Sequence, residues 1–228
     1  METRSEPALA RSGKGAQYLL HFANADLLIA GDVVTRQNMP HLHFITREGA
    51  SWPAADPGIT GALAFPVHFP GEFDVLLTGL TIAVMETLRD PVRRATLARF
   101  YAPIHDKLCQ LLAAPPANFS ADHKALLLYL LALSGHRSSD QPASQTKLET
   151  AAAYINEAEQ IWTRQRAPLA WAMLQNSFAG MLTDVGEAEA LDNAIGLFRV
   201  ALEERTRNRA PLAWAESHVD LSVHPETP

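Results

Sequence analysis

A single cysteine, Cys109, stands among 228 residues, so no disulfide can close within the chain. A lone Cys in an apolar helical stretch is ordinarily a small core hydrophobe, and no thiolate-stabilising pair adjoins it in sequence. Charge of one sign is also missing. The chain carries 19 basic and 25 acidic residues, a formal charge of −6, with no long run of either sign. That argues against a nucleic-acid surface and against a polybasic membrane contact. Long apolar runs are absent too. The longest, Val75 to Leu88, is interrupted by Glu86 and falls short of the roughly 20 residues a bilayer span needs. The first 15 residues are polar (Glu2, Arg4, Glu6, Arg11, Lys14), which does not fit a secretory signal. The expectation is a soluble, cytoplasmic chain without a membrane partner or a cofactor. HExxH, GxSxG and phosphate-cradling glycine loops do not occur.

What the chain does contain is ample apolar content, 47%, and a duplication. Thr163-Arg-Gln-Arg-Ala-Pro-Leu-Ala-Trp-Ala172 returns 43 residues later as Thr206-Arg-Asn-Arg-Ala-Pro-Leu-Ala-Trp-Ala215, with only Gln165 changed, to Asn208. The same offset maps Leu148 onto Leu191, Ala151 onto Ala194, Ile155 onto Phe198 and Ala158 onto Ala201. Self-similarity at a fixed period of this size marks a stacked repeat array.

Within one period the residues read as helix, turn, helix. Ala194, Phe198 and Ala201 fall at steps of four and three and share a helix face, where small side chains admit a close neighbour. Arg205, Arg207 and Arg209 follow, and cations suit a helix C-terminus. Pro168 and Pro211 suit a first helical turn. The helix after Pro168 carries Trp171, Leu174, Phe178 and Leu182 on one stripe and is expected to stop at Gly186.

Trp171, Leu174 and Phe178 followed by Ala194, Phe198 and Ala201 resemble the tetratricopeptide repeat pattern. In that family Trp, Leu, Gly and Tyr mark the first helix and Ala, Phe and Ala the second. The period here is 43 rather than about 34, Gln175 stands at the usual glycine, and the proline follows a longer second helix. The likeness covers roughly residues 148–221, the C-terminal third, and is to longer-helix members of the family. It implies tandem antiparallel helix pairs forming an α-solenoid that holds another protein. Trp214 repeats Trp171, and both are expected in the core against the preceding unit.

Repeat arrays need about three units and a polar cap. Residues 148–221 supply a second-type helix, a full pair and one more first-type helix, before a tail, 222–228, with two prolines. Either the region upstream provides the missing packing surface, or the C-terminal end stays open to a partner or a second copy.

Upstream, Asp90-Pro91 opens a helix within 91–137 that is expected to bend at Pro103, and Ser120 caps a second one ended by Gly135. Phe73 to Leu88, apolar on nearly every side, reads as a central buried helix. Residues 138–147 read as a linker. In the N-terminal region, 16–90, Tyr18 to Phe22 and Leu27 to Gly31 fit short strands or one interrupted helix, and Trp52 to Pro70 reads as irregular. The fold class is therefore mainly α, with an N-terminal region of mixed character.

Two sets of polar residues are candidates for function. His41 and His43, two apart, would share a face on a strand, with His68 in a further apolar stretch and Asp32 and Glu48 as conceivable companions. Without a third ligand at a telling spacing, half-buried histidines are the ordinary reading, and no metal is expected. Arg164, Arg166, Arg207 and Arg209 recur at equivalent places and would align into a basic ridge able to grip the carboxylates of an acidic peptide. The leading expectation is a non-enzymatic scaffold or adaptor that takes a partner peptide or helix in its groove. The alternative is a small metal-dependent or hydrolytic domain at residues 16–90 with a helical appendage.

Overall fold

In the computed structural model, residues 13–34, 39–46, 51–52, 71–86, 91–138 and 145–222 are described. They form eight helices and one three-stranded sheet. The elements are α1 (Gly13–Phe22), β1 (Leu27–Val34), β2 (Met39–Thr46), β3 (Ser51–Trp52), α2 (Gly71–Glu86), α3 (Pro91–Ala113), α4 (Ala121–Arg137), α5 (Gln145–Ile161), α6 (Pro168–Val185), α7 (Ala188–Glu204) and α8 (Pro211–Ser222). The chain is mainly helical, as expected. His68, Glu48, Asp90, residues 53–70 and the tail from 223 lie outside the described residues.

The N-terminal region combines the two readings left open for it. Tyr18 to Phe22 belongs to α1, whereas Leu27 to Gly31 belongs to β1. The strands run in the order β1-β2-β3, antiparallel throughout, with α1 against β1 and β2. Three boundaries move. α1 begins inside the polar segment 1–15, α5 begins inside the linker 138–147, and α8 reaches Ser222.

Local chemistry explains most helix ends. Ser120 accepts from the His123 backbone N–H at 3.1 Å, and His123 Nδ1 accepts from the Ser120 N–H at 3.1 Å, a reciprocal cap at the start of α4. Pro168 and Pro211 open α6 and α8. Gly186 closes α6 at φ 74°, a left-handed conformation that costs glycine least. One expectation fails: α4 runs on through Gly135 to Arg137. Pro103 lies inside α3. Gly135 serves packing: a Cβ there would sit 3.0 Å from the His105 ring.

Consecutive helices pack on one another from α2 to α8. α4 lies along α5 and α6 along α7, while α5 touches α6 and α7 touches α8. One continuous apolar cluster extends from Phe73 through α4 to Phe198 and Ala210. The central rod is α4, where every residue from Ala125 to Ser134 is buried, rather than α2, which exposes Asp74 and Thr78. Upstream residues thus supply packing for the first duplicated helix, α5.

Candidate functional site

The duplicated decapeptide forms the turns between α5 and α6 and between α7 and α8. Both fold identically. In the first, Thr163 O accepts from Arg166 N–H (3.1 Å) and Ala167 N–H (2.9 Å), and Thr163 Oγ1 accepts from Arg166 N–H (3.2 Å). In the second, Thr206 O accepts from Arg209 N–H (3.1 Å) and Ala210 N–H (2.8 Å), and Thr206 Oγ1 from Arg209 N–H (3.2 Å). Thr and the buried Ala167 and Ala210 are therefore fixed by the turn itself.

The four repeated arginines do not form one free ridge. Arg164 donates to Glu203 Oε2 (2.6 Å) and Glu204 Oε1 (2.7 Å), with its guanidinium over the Trp171 ring at 5.0 Å. Arg166 donates to both oxygens of Asp122 (2.7 and 2.6 Å) and to the Ile161 carbonyl (2.8 Å). Arg209 donates to Glu204 Oε2 at 2.7 Å, so Glu204 ties the two junctions together. Arg207 lies over the Trp214 ring at 5.9 Å, exposed, and among the described residues no carboxylate pairs with it.

The apolar repeat positions divide by depth. Ala194, Phe198, Ala201 and Leu174 are buried completely or nearly so, as are Ala151, Ile155 and Ala158 in the earlier copy. Trp171, Phe178 and Trp214 are half-buried, which corrects the expectation that both tryptophans lie in the core. Trp171 is sheathed by Arg164 instead. Gln175, standing at the family's glycine, is buried and donates to Glu159 on α5. Burial pushes the Glu159 carboxyl above the usual carboxylate range, and that hydrogen bond opposes the shift.

A further correction concerns Arg205. Grouped by sequence with the helix-terminal cations, it turns inward and is 6% exposed. It donates to Ser217 Oγ at 3.1 Å and lies 3.5 Å from Glu216, and Ser217 donates to Asn176 Oδ1 at 2.6 Å. Burial lowers its pKa, with Glu216 opposing. One period earlier the residues at Arg205, Ser217 and Glu216 are Trp162, Leu174 and Met173, all buried. Three apolar positions of one copy are thus polar in the next.

Sequence reasoning missed one side-chain chain between α3 and α4. His105 Nδ1 lies 3.0 Å from Ser134 Oγ, and His105 Nε2 lies 3.6 Å from Cys109 Sγ. Only the i, i+4 spacing of His105 and Cys109 hinted at it. Ser134 donates to the Leu130 carbonyl at 2.6 Å, so it accepts from the imidazole and is not activated by it. Burial lowers the His105 pKa, with Asp106 and a backbone hydrogen bond opposing. The space beside Ser134, bounded by Gly79, Ile104 and Leu130, is about 10 Å³, room for at most one water. Cys109 is exposed rather than a core residue.

On the sheet, β1 and β2 pair so that Asp32 lies opposite His41 and Ala30 opposite His43. The register positions of Asp32, His41 and His43 therefore share one face of the hairpin. Among the described residues, no group of three His, Cys, Asp or Glu side chains is placed to hold a metal ion. No helix there is long and apolar enough to cross a membrane. No family model matches the chain, and no curated protein or solved structure matches it.

Proposed function

We propose that the protein is a helical-repeat interaction module, a tetratricopeptide-like α-solenoid of stacked helix pairs whose surface receives a peptide or helix from another protein. The observation that supports it most is the duplicated junction. Ten residues that differ only at Gln165 and Asn208 form the same turn, with the same three kinds of backbone and hydroxyl contact, at successive steps of helix packing. Repetition of that kind builds extended surface rather than a single convergent pocket. Among the described residues, His105 with Ser134 and Cys109 looks catalytic but has its donors in the wrong order for an activated nucleophile. Photo-crosslinkers placed in cells at the exposed Gln165, Asn193 and Asn208 test the reading. The expected result is a discrete adduct at these positions and none from exposed Gln110 on α3. Adducts at none of the three, from a protein that sediments as a monomer, would refute it.

One observation favours a second reading, a metal-dependent N-terminal region: the register that puts Asp32 opposite His41 and beside His43. Two imidazoles and a carboxylate are a common ligand set for zinc and iron. Stoichiometric metal in purified protein, lost in both His41→Ala and His43→Ala, would favour this reading over the first.

A further inference from the structure

The cap of α4 holds a histidine in its neutral form. His123, the third residue of that helix, is 3% exposed, with its ring 5.0 Å from the Phe73 ring of α2 and 5.4 Å from that of Phe119. Its Nδ1 accepts from the Ser120 backbone N–H at 3.1 Å. A backbone N–H can only donate, so this nitrogen carries no proton. The imidazolium, in which both ring nitrogens are donors, is incompatible with the cap. Glu or Gln, the usual residues at this place in a capping box, keep an acceptor there throughout the neutral range. Histidine ordinarily changes its charge between about pH 5 and 8.

The capped turn also pins the first duplicated junction. Asp122, next to His123, accepts from Trp162 Nε1 at 2.9 Å and from Arg166 Nη2 at 2.7 and 2.6 Å. Trp162 is fully buried, and its indole has no other donor to offer. The charged residues that flank the ring are Asp122 and Lys124 on α4, Asp74 beside Phe73 on α2, and Glu157 on α5. Lys124 pairs with Glu157 at 2.7 Å, Asp122 with Arg166, and Asp74 is exposed. The imidazoles of His105 and His136 meet the far end of α4, at Ser134 and Asp184.

We infer that His123 is an acid-sensitive latch: protonation of its imidazole withdraws the acceptor from Ser120, frays the first turn of α4 and releases Asp122 from Trp162 and Arg166, loosening the stack at the first junction. The capped state has no proton on Nδ1, whereas the frayed state takes one. The latch therefore holds above the ordinary imidazole pKa of about 6.5, and its open state gains population as pH falls below that value. It acts whatever the repeats bind.

Hydrogen exchange of the full chain, followed by NMR at pH 7.5 and pH 5.5 with each rate divided by its intrinsic value, is the test. Protection of the Ser120 amide and of the Trp162 indole N–H should fall together on acidification. The fall should approach about tenfold, the limit for one proton taken up only on opening at a group of pKa about 6.5. His123→Gln keeps an acceptor for Ser120 and removes the titration, so both protections should stay constant. His105→Gln and His136→Gln should respond as wild type does. A response that survives His123→Gln, or that either of the other two variants abolishes, overturns the inference. So does loss of protection at Ser120 alone, because Asp122 is then not coupled to the cap. If His123→Gln does not fold, the ring 15N shifts of the wild-type protein decide. Nδ1 should be unprotonated at pH 7.5, and a protonated Nδ1 at either pH with both protections intact overturns the latch.

Discussion

Trp162 and Arg205 occupy the same position in successive copies, and both are buried, one apolar and one charged. Trp162 spends its single donor on Asp122 Oδ1 at 2.9 Å, while Arg205 donates to Ser217 at 3.1 Å. A cation withdrawn from water is tolerated only where polar partners meet it, and here Ser217 and Glu216 have replaced Leu174 and Met173 in step with it. Arg205→Ala strips those partners of their donor and should destabilise by about 2 kcal/mol in urea titration. Trp162→Ala leaves a large apolar void and should cost about 3 to 5 kcal/mol. A neutral result for Arg205→Ala would mean that the buried network contributes nothing net to stability.

Phe198 and Trp171 separate depth from family likeness. Phe198 is 1% exposed between two fully buried alanines, so Phe198→Ala should cost about 3 to 5 kcal/mol. Trp171 is half-buried beneath the Arg164 guanidinium, and its truncation should cost clearly less. Thermal melts of the two variants check the order. Equal losses would place the Trp171 ring deeper than the structure has it.

These contrasts show how far local sequence reaches. The helix starts at Pro168 and Pro211, the Ser120 cap, the Gly186 stop and the stripe from Ala194 to Ala201 were all legible, because each depends on residues within one or two helical turns. The direction of Arg205 was not, since a basic stretch after a helix looks solvated until residue 217 is brought beside it. Gly135 was misread for a similar reason. Its role is set by His105, which lies 30 residues away in sequence. The pairing of Arg164 with Glu203 and Glu204 was equally hidden. Periodicity gave the face of each helix but not the charge that a helix two elements later would deliver to it.

Glu159 should make stability depend on pH. Burial raises its carboxyl pKa in the folded protein, so the stabilising contribution is present below the unfolded carboxylate value and is lost as pH rises through the folded one. Glu159→Gln removes the ionisation while keeping an acceptor for the Gln175 amide. Its melting temperature should exceed that of wild type at pH 7, and the gap should close below about pH 4. A gap that widens on acidification would reverse the assigned sign.

Cys109 should be accessible and yet slow to react. It is exposed, but partial burial, seconded by the neighbouring Asp106, pushes its pKa up, and only the thiolate attacks. His105, 3.6 Å from the sulfur, offers no rescue. Burial lowers its pKa, which disfavours the imidazolium that would stabilise a thiolate. Modification by an aromatic disulfide at pH 7.5 should therefore run several-fold slower than for an unstructured cysteine peptide, and the rate should still be climbing above pH 9. Asp106→Asn removes one of the two causes and should speed the reaction. His105→Ala should not slow it. Were His105→Ala to suppress the reaction, the pair would be an ion pair and Cys109 an activated thiol.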